Sequence, residues 1–169
     1  SDTIGSGIGD LKGITNHLDY LKDLGIGAIW LTPIYPSPMA DNGYDISDST
    51  GIDPSYGTME DFEHLIAEGK KRNIRSVMDL VYNHSSDRHP WFLESKSSRH
   101  NPKSDWYIWQ DGKADGTAPT NWRSIFGGSA WTWCEERRQC YLHTFAPAQL
   151  DLNWENPAVR RALYDAALF

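Results

Sequence analysis

Apolar residues recur at helical spacing near the start of the chain. Leu18, Leu21 and Leu24 share one face, Ile14 stands just before them, and Gly25 supplies a stop. The pattern predicts a helix over residues 15–24. Ala28-Ile29-Trp30-Leu31 follows as a short apolar run closed by Pro33, which predicts a buried strand. Residues 33–57 are rich in Pro, Gly, Asp and Ser and predict a long loop; loops of that length in compact domains are often functional. Thr58 and Asp61 fit a capping pattern, and Phe62, Leu65 and Ile66 supply the apolar face of a second helix ending near Arg72-Asn73. Ile74 to Val81 then predicts a second buried strand, with Asp79 as its one carboxylate. Strands joined through a helix pair in parallel, so this part reads as an α/β unit. Each strand runs into a polar loop at its C-terminal end.

The pattern changes after Asn83. Residues 84–155 are polar and aromatic, dense in turn signals, and predict a small irregular region with one short strand in Cys140–Phe145. Helical periodicity returns at Asn156, an N-cap residue followed by Pro157 at the first helical position and by Val159, Leu163, Ala166 and Ala167. That periodicity is still running at Phe169, and the start is loop-like, so the chain reads as an excerpt of a larger domain. It contains no internal repeat and no low-complexity linker.

Composition adds four points. The 169 residues are 39% hydrophobic, mean hydropathy is −0.59, and no apolar run reaches membrane-spanning length, which predicts a water-soluble protein with no membrane partner. Nothing resembles a signal peptide, and a cytoplasmic location is expected. The net charge of −7 argues against a nucleic-acid partner and fits a neutral or cationic ligand. Cys134 and Cys140 flank a stretch that could turn as a hairpin, which leaves both a disulfide and two free thiols open; an intracellular protein favours the thiols, and the spacing matches no zinc site. The 8 Trp and 8 Tyr include several in loops, such as Tyr44 after Asn42-Gly43 and Trp122 after Asn121. Aromatic faces on loops suit sugar rings as well as core packing.

Two clusters carry candidate chemistry. Asp41, Asp45 and Asp48 crowd a Gly-bearing turn with Tyr44. Such carboxylates accept paired sugar hydroxyls or, equally well, cap the backbone of an acidic turn. The second strand ends in Asp79-Leu80-Val81-Tyr82-Asn83-His84, where alternation puts Asp79 and Asn83 on one face and His84 past the strand end. Buried polar groups at a strand end need partners, in a site or in a satisfied network.

Five segments in order carry a resemblance to a known family: Gly9-Asp10-Leu11-Lys12-Gly13-Ile14, Trp30-Leu31-Thr32-Pro33, Asn42-Gly43-Tyr44-Asp45-Ile46-Ser47-Asp48, Asp79-Leu80-Val81-Tyr82-Asn83-His84-Ser85-Ser86-Asp87 and Gln149-Leu150-Asp151-Leu152-Asn153-Trp154. Together they resemble the α-amylase family of glycoside hydrolases, in its α-glucosidase and oligo-1,6-glucosidase branch. The resemblance implies a partial (β/α)8 TIM barrel: residues 1–83 as its N-terminal part, 84–155 as a small inserted domain after the third barrel strand, and 156–169 as the return to the barrel. It implies a retaining enzyme acting on small α-linked oligosaccharides or disaccharides, in which two carboxylates about 5 Å apart do the chemistry. Those carboxylates sit on later strands of the family fold, so no catalytic residue is expected in this chain, and the chain alone is expected to be inactive.

What the resemblance places here is the wall around the non-reducing-end glucose. Asp41 matches the carboxylate that accepts sugar hydroxyls, Tyr44 the stacking platform and His84 an imidazole bonding the same ring. Phe126, Phe145 and Gln149 match positions lining the pocket mouth. Asp79, Asn83 and Asp45 are expected to order the structure near the site. Relatives often hold calcium or magnesium in an Asp-x-Asn-x-Asp-x-Ile-x-Asp loop; here Ile4 and Ser6 replace two ligands between Asp2 and Asp10, so no metal and no cofactor is expected. Leu150 stands where relatives usually have Pro. Sister activities such as sucrose isomerase and trehalose synthase share these motifs. A non-catalytic glucosidase-like ectodomain is the alternative from another class, and the joint presence of Asp41, Tyr44 and His84 weighs against it.

Overall fold

The computed structural model describes residues 1–169, which form two compact units. The first comprises Ser1–Pro36 and Thr50–Leu80; the second comprises Ser37–Ser49 and Val81–Phe169.

The first unit alternates helix and strand: α1 (Leu11–Thr15), α2 (Leu18–Asp23), β1 (Ala28–Leu31), α3 (Met59–Lys71) and β2 (Arg75–Met78). The helix expected over 15–24 is thus two helices. The Asp10 side chain accepts from Gly13 N at 2.7 Å and starts α1 four residues earlier than periodicity indicates. Near the break, His17 Nδ1 lies 2.8 Å from the Gly13 carbonyl, and His17 itself takes a non-helical φ of −109° as α2 begins. The end of α2 is as expected: Gly25 adopts φ +79°, and the N–H of Ile26 returns to the Leu21 carbonyl at 3.0 Å.

Thr58 caps α3 with a reciprocal Asp61 contact, as the pattern indicated. Strands β1 and β2 pair in parallel, Ala28 with Arg75 through Leu31 with Met78. β2 is shorter than the expected 74–81, because its partner offers only four residues. Leu11, Leu18, Leu31, Ile34, Leu65 and Ile74 form the core. Burying each apolar side chain contributes about 1.5–3 kcal/mol. Across the sheet from that core, the paired Trp30 and Val77 are exposed. The alternating elements and parallel pair are consistent with part of a TIM-barrel-type domain; the sheet is two-stranded and not closed.

The second unit holds β3 (His84–Ser86), α4 (Pro90–Lys96), β4 (Trp109–Gln110), β5 (Trp131–Cys134), β6 (Gln139–Leu142), β7 (Gln149–Asp151) and α5 (Pro157–Ala167). β3 pairs antiparallel with β7, and β6 lies between β4 and β5. His84 therefore opens a strand of its own rather than trailing an earlier one. The expected 140–145 strand is β6, displaced to 139–142. Beyond it the His143 ring takes other partners, with Nδ1 2.9 Å from the Phe145 carbonyl and Nε2 2.9 Å from Thr132 Oγ1. α5 has the expected Asn156 cap and Pro157 start. Phe92, Tyr107, Leu150, Leu152, Val159 and Leu163 make the principal core, and Ala130, Trp131, Cys140 and Leu142 a second one. The β5–β6 turn pairs Cys134 with Gln139 and Cys140 with Trp133, so the thiols are not cross-strand partners; both are free and buried.

Candidate functional site

The second unit gathers Asp41, Tyr44, Asp45, Asn83, His84, Phe126, Phe145 and Gln149. Asp41 and Tyr44 are brought together by a tight turn. Asn42 and Gly43 both take positive φ, 51° and 95°, and the Tyr44 N–H donates to the Asp41 carbonyl at 2.9 Å. Asn and Gly are the residues that tolerate this turn.

Asp45 is fully buried and holds the loop. Its carboxylate accepts from Ser37 Oγ at 2.9 Å, Ala40 N at 3.0 Å and Asp41 N at 3.1 Å. Of the two readings of the acidic turn, backbone capping applies to Asp45. The half-buried Asp41 carboxylate takes a single protein donor, Gln149 Nε2, at 2.9 Å from Oδ2. Its Oδ1 meets no donor.

The antiparallel β3–β7 pair sets His84 opposite Asp151 and Ser86 opposite Gln149. The Ser86 N–H donates to the Ile46 carbonyl at 2.9 Å, which ties the acidic loop to β3. Gln149 is fully buried. Its Oε1 accepts from Ala146 N at 2.9 Å, fixing the amide's orientation, and Nε2 donates to Asp41 and, at 3.3 Å, to the Tyr44 carbonyl. Gln149 thus sits behind the carboxylate rather than at a surface.

His84 is buried beside it. Nε2 lies 2.9 Å from the Tyr44 carbonyl, and Nδ1 lies 3.1 Å from Asn83 Nδ2. Asn83 Nδ2 also donates to Asp151 Oδ1 at 3.4 Å. This network assigns the proton to Nε2 and leaves Nδ1 as acceptor. A second proton on Nδ1 would face the Asn83 amide. Burial lowers the His84 pKa below the usual histidine value, against the opposing pull of the Tyr44 carbonyl and of Asp151, Asp41 and Asp45. The ring is therefore neutral near pH 7. Its 3.2 Å approach to Gln149 Nε2 sets one N–H beside another.

Phe145 forms an aromatic edge 5.2 Å from the His84 ring, and Phe126, largely exposed, lies 6.1 Å from Phe145. Ser124 Oγ fixes this wall, donating to the Phe145 carbonyl at 2.7 Å and accepting from Phe126 N at 3.3 Å. Asp151 is a residue to which sequence reasoning gave no role. It accepts from Thr144 N at 2.9 Å and from Thr144 Oγ1, anchoring the turn that carries Phe145. Its signal was a carboxylate at a buried strand position within Gln149-Leu150-Asp151. Asp79 belongs to the first unit, one residue past β2, where its carbonyl accepts from Tyr35 Oη at 3.2 Å.

The N-terminal loop does not fit a divalent cation. Asp2 already accepts from the backbone N–H groups of Ile4, Gly5 and Gly7, and Asp10 from Thr3 N, Thr3 Oγ1 and Gly13 N. Ile4 offers no side-chain oxygen between them. Calcium takes about six to eight oxygen ligands and magnesium about six, and carboxylates already filled by backbone donors supply few of them.

A half-buried carboxylate with an open oxygen, beside a tyrosine and an aromatic wall, suits hydroxyl groups on a ring with apolar faces. Comparison with known proteins points the same way. The chain matches the model of the alpha-amylase catalytic domain over residues 1–169. It is 57% identical over 162 residues to trehalose-6-phosphate hydrolase of Escherichia coli K12, which covers 96% of this chain and 29% of that protein. It is 55% identical to oligo-1,6-glucosidase of Heyndrickxia coagulans, covering 99% and 30%. The structure of isomaltulose synthase from Erwinia rhapontici NX5 superposes with a TM-score of 0.96 at 59% identity, over 99% of this chain and 30% of that one. The chain spans about 30% of the length of these relatives. No helix is long and apolar enough to cross a membrane. The chain belongs to the α-amylase family of glycoside hydrolases, close to its α-glucosidase, oligo-1,6-glucosidase and trehalose-6-phosphate hydrolase members.

Proposed function

We propose that the protein carrying this chain is a retaining α-glucosidase that releases glucose from the non-reducing end of short α-linked oligosaccharides, with Asp41, Tyr44 and His84 gripping that glucose. The observation that supports this reading is the Gln149 amide, which holds the Asp41 carboxylate by one oxygen and the Tyr44 backbone beside it. The other Asp41 oxygen is left for sugar hydroxyls. Phe126 and Phe145 border the mouth. Asn83 and Asp45 hold the loop and the imidazole, and Asp79 orders the end of β2.

In this reading β1 and β2 are the second and third strands of a (β/α)8 barrel. Residues 84–155 are the domain inserted after the third strand, and α5 leads back to the barrel. The nucleophile and the acid/base lie outside residues 1–169, so this segment binds and orients without cleaving. Positioning of that kind lowers the barrier by several kcal/mol, in the range of about 7–11 at most. Two buried free thiols fit a cytoplasmic location.

Asp41→Ala in the full-length protein tests the reading. The expected kcat/KM for maltose-like substrates falls by at least about 100-fold, roughly 2.7 kcal/mol of transition-state stabilisation, with the melting temperature nearly unchanged. An unaltered kcat/KM would remove Asp41 from the site. A second reading, transfer rather than hydrolysis, is favoured by the 59% identity to isomaltulose synthase. Sucrose separates the two: glucose and fructose report hydrolysis, and a sucrose isomer reports internal transfer.

A further inference from the structure

The β5–β6 hairpin borders a cavity, within the second unit, that shares no lining residue with the Asp41 cluster. It is an open depression of about 730 Å³. Four cations line it, Arg99, Lys113, Arg137 and Arg138, against two carboxylates, Asp111 and Glu136. This is a local positive excess in a chain of net charge −7.

Both carboxylates are already engaged. Asp111 Oδ1 lies 2.8 Å from Arg99 Nη2 and accepts from Gln139 Nε2 at 3.1 Å. Glu136 Oε1 accepts from Lys96 Nζ at 3.0 Å. Lys113 and Arg138 are exposed and form no ion pair.

Arg137 is the decisive group. It is only 8% exposed, yet no carboxylate pairs with it. Nε donates to Gln139 Oε1 at 2.7 Å, and Nη1 to the carbonyls of Ser95 at 2.7 Å and Ser98 at 3.3 Å. The guanidinium lies 4.4 Å from the centre of the Trp109 ring. Nη2 meets no protein acceptor. A buried guanidinium hydrogen-bonded only to neutral groups, with the Trp109 face and the more distant Asp105 as its partial compensation, is short of a paired anion. Arg99 stiffens the turn behind it, donating to the Arg137 carbonyl at 3.2 Å and the Arg138 carbonyl at 2.7 Å. On the cavity wall, half-exposed Trp133 offers a ring face.

We propose that this cavity binds an anionic sugar, a hexose bearing a phosphate or similar oxyanion, with the anion on Arg137, Arg138 and Lys113 and the ring against Trp133. Guanidinium groups match oxyanion geometry, and an aromatic face matches the apolar face of a sugar.

Calorimetric titration of the full-length protein with glucose 6-phosphate, inorganic phosphate and glucose tests this. Glucose 6-phosphate is expected to bind with a Kd below about 1 mM and phosphate about tenfold more weakly. Replacing exposed Lys113 and Arg138 together by Ala should weaken both by about tenfold or more without unfolding the protein. Trp133→Ala should weaken only the sugar phosphate. Asp41→Ala should leave this binding intact while impairing the glucosyl site, which keeps the two sites distinguishable. The proposal fails if glucose 6-phosphate gives no heat up to about 10 mM. It fails equally if phosphate and glucose 6-phosphate bind alike, or if binding survives the double variant or is lost in Asp41→Ala.

Discussion

Gln149 Nε2 donates to Asp41 Oδ2 at 2.9 Å across 108 residues of sequence. The same amide accepts from Ala146 N through Oε1, so one buried side chain sets the carboxylate and the turn before β7 together. Gln149→Ala would leave Ala146 N and Asp41 without this partner. A buried unsatisfied group costs about 1–3 kcal/mol, so the urea midpoint should fall by that equivalent. With Asp41 no longer held, KM for the glucosyl substrate should rise. Chemical denaturation and steady-state kinetics on the full-length variant check both effects, and unchanged stability and KM would refute the tie.

Asp45 and Asp41 should behave oppositely on substitution. The Asp45 carboxylate is buried and takes three donors, while Asp41 takes one and keeps an oxygen open. Asp45→Ala should destabilise the protein by about 2–4 kcal/mol through lost loop bonds. Asp41→Ala should act on activity far more than on stability. Thermal melts of the pair, read beside kcat/KM, separate a structural carboxylate from a binding one.

Much of this division was legible in the residues themselves. Asn42-Gly43 signals a tight turn, and an Asp two residues on is placed to cap it; residue chemistry alone left open which Asp does so, and only the family resemblance gave Asp45 the structural part. The tie from Gln149 to Asp41 was not legible, because it joins the acidic loop to β7 across the β3–β7 pair. A pairing between residues 84–86 and 149–151 has no local signature, because its register is set by Leu150 and Leu152 entering a core with Phe92 and Tyr107. The Thr58–Asp61 capping box and the α5 start were readable because they are local. The break between α1 and α2 was not, since the leucine periodicity runs through it and the earlier start depends on Asp10. Net charge is silent on local clustering for a related reason. It averages over the surface, whereas Arg99, Lys113 and Arg137 meet only through the β4–β6–β5 sheet.

The two cysteines should titrate as slow thiols. Burial raises the pKa of both, and Cys134 Sγ also lies 3.3 Å from Glu136 Oε2, which disfavours the thiolate. Reaction with an aromatic disulfide reagent should run on the order of tenfold or more slower in the native protein than in denaturant, where both should react. A mass two units low that shifts on reduction would contradict the free thiols.

His89 should give the protein an acid-sensitive stability. It is buried, caps α4 by accepting the Trp91 N–H on Nδ1 at 3.1 Å, and packs 4.4 Å from the Trp91 ring centre. Burial lowers its pKa from 6.5 to about 4, with a smaller opposing pull from Asp48. The folded state thus resists a proton that the unfolded state accepts near 6.5. Stability from this group is complete above 6.5, falls as the pH drops from there towards 4, and levels off below. A pKa difference of that size corresponds to about 3 kcal/mol at the acid end. His84, lowered in the same direction, adds to the slope. Protonation at Nδ1 would also remove the acceptor that caps α4. His89→Asn keeps a capping oxygen without a titrating group. Urea midpoints measured between pH 7 and 4 should fall steeply for the wild type and much less for His89→Asn. Parallel slopes for the two proteins would show that His89 takes up its proton equally well folded and unfolded.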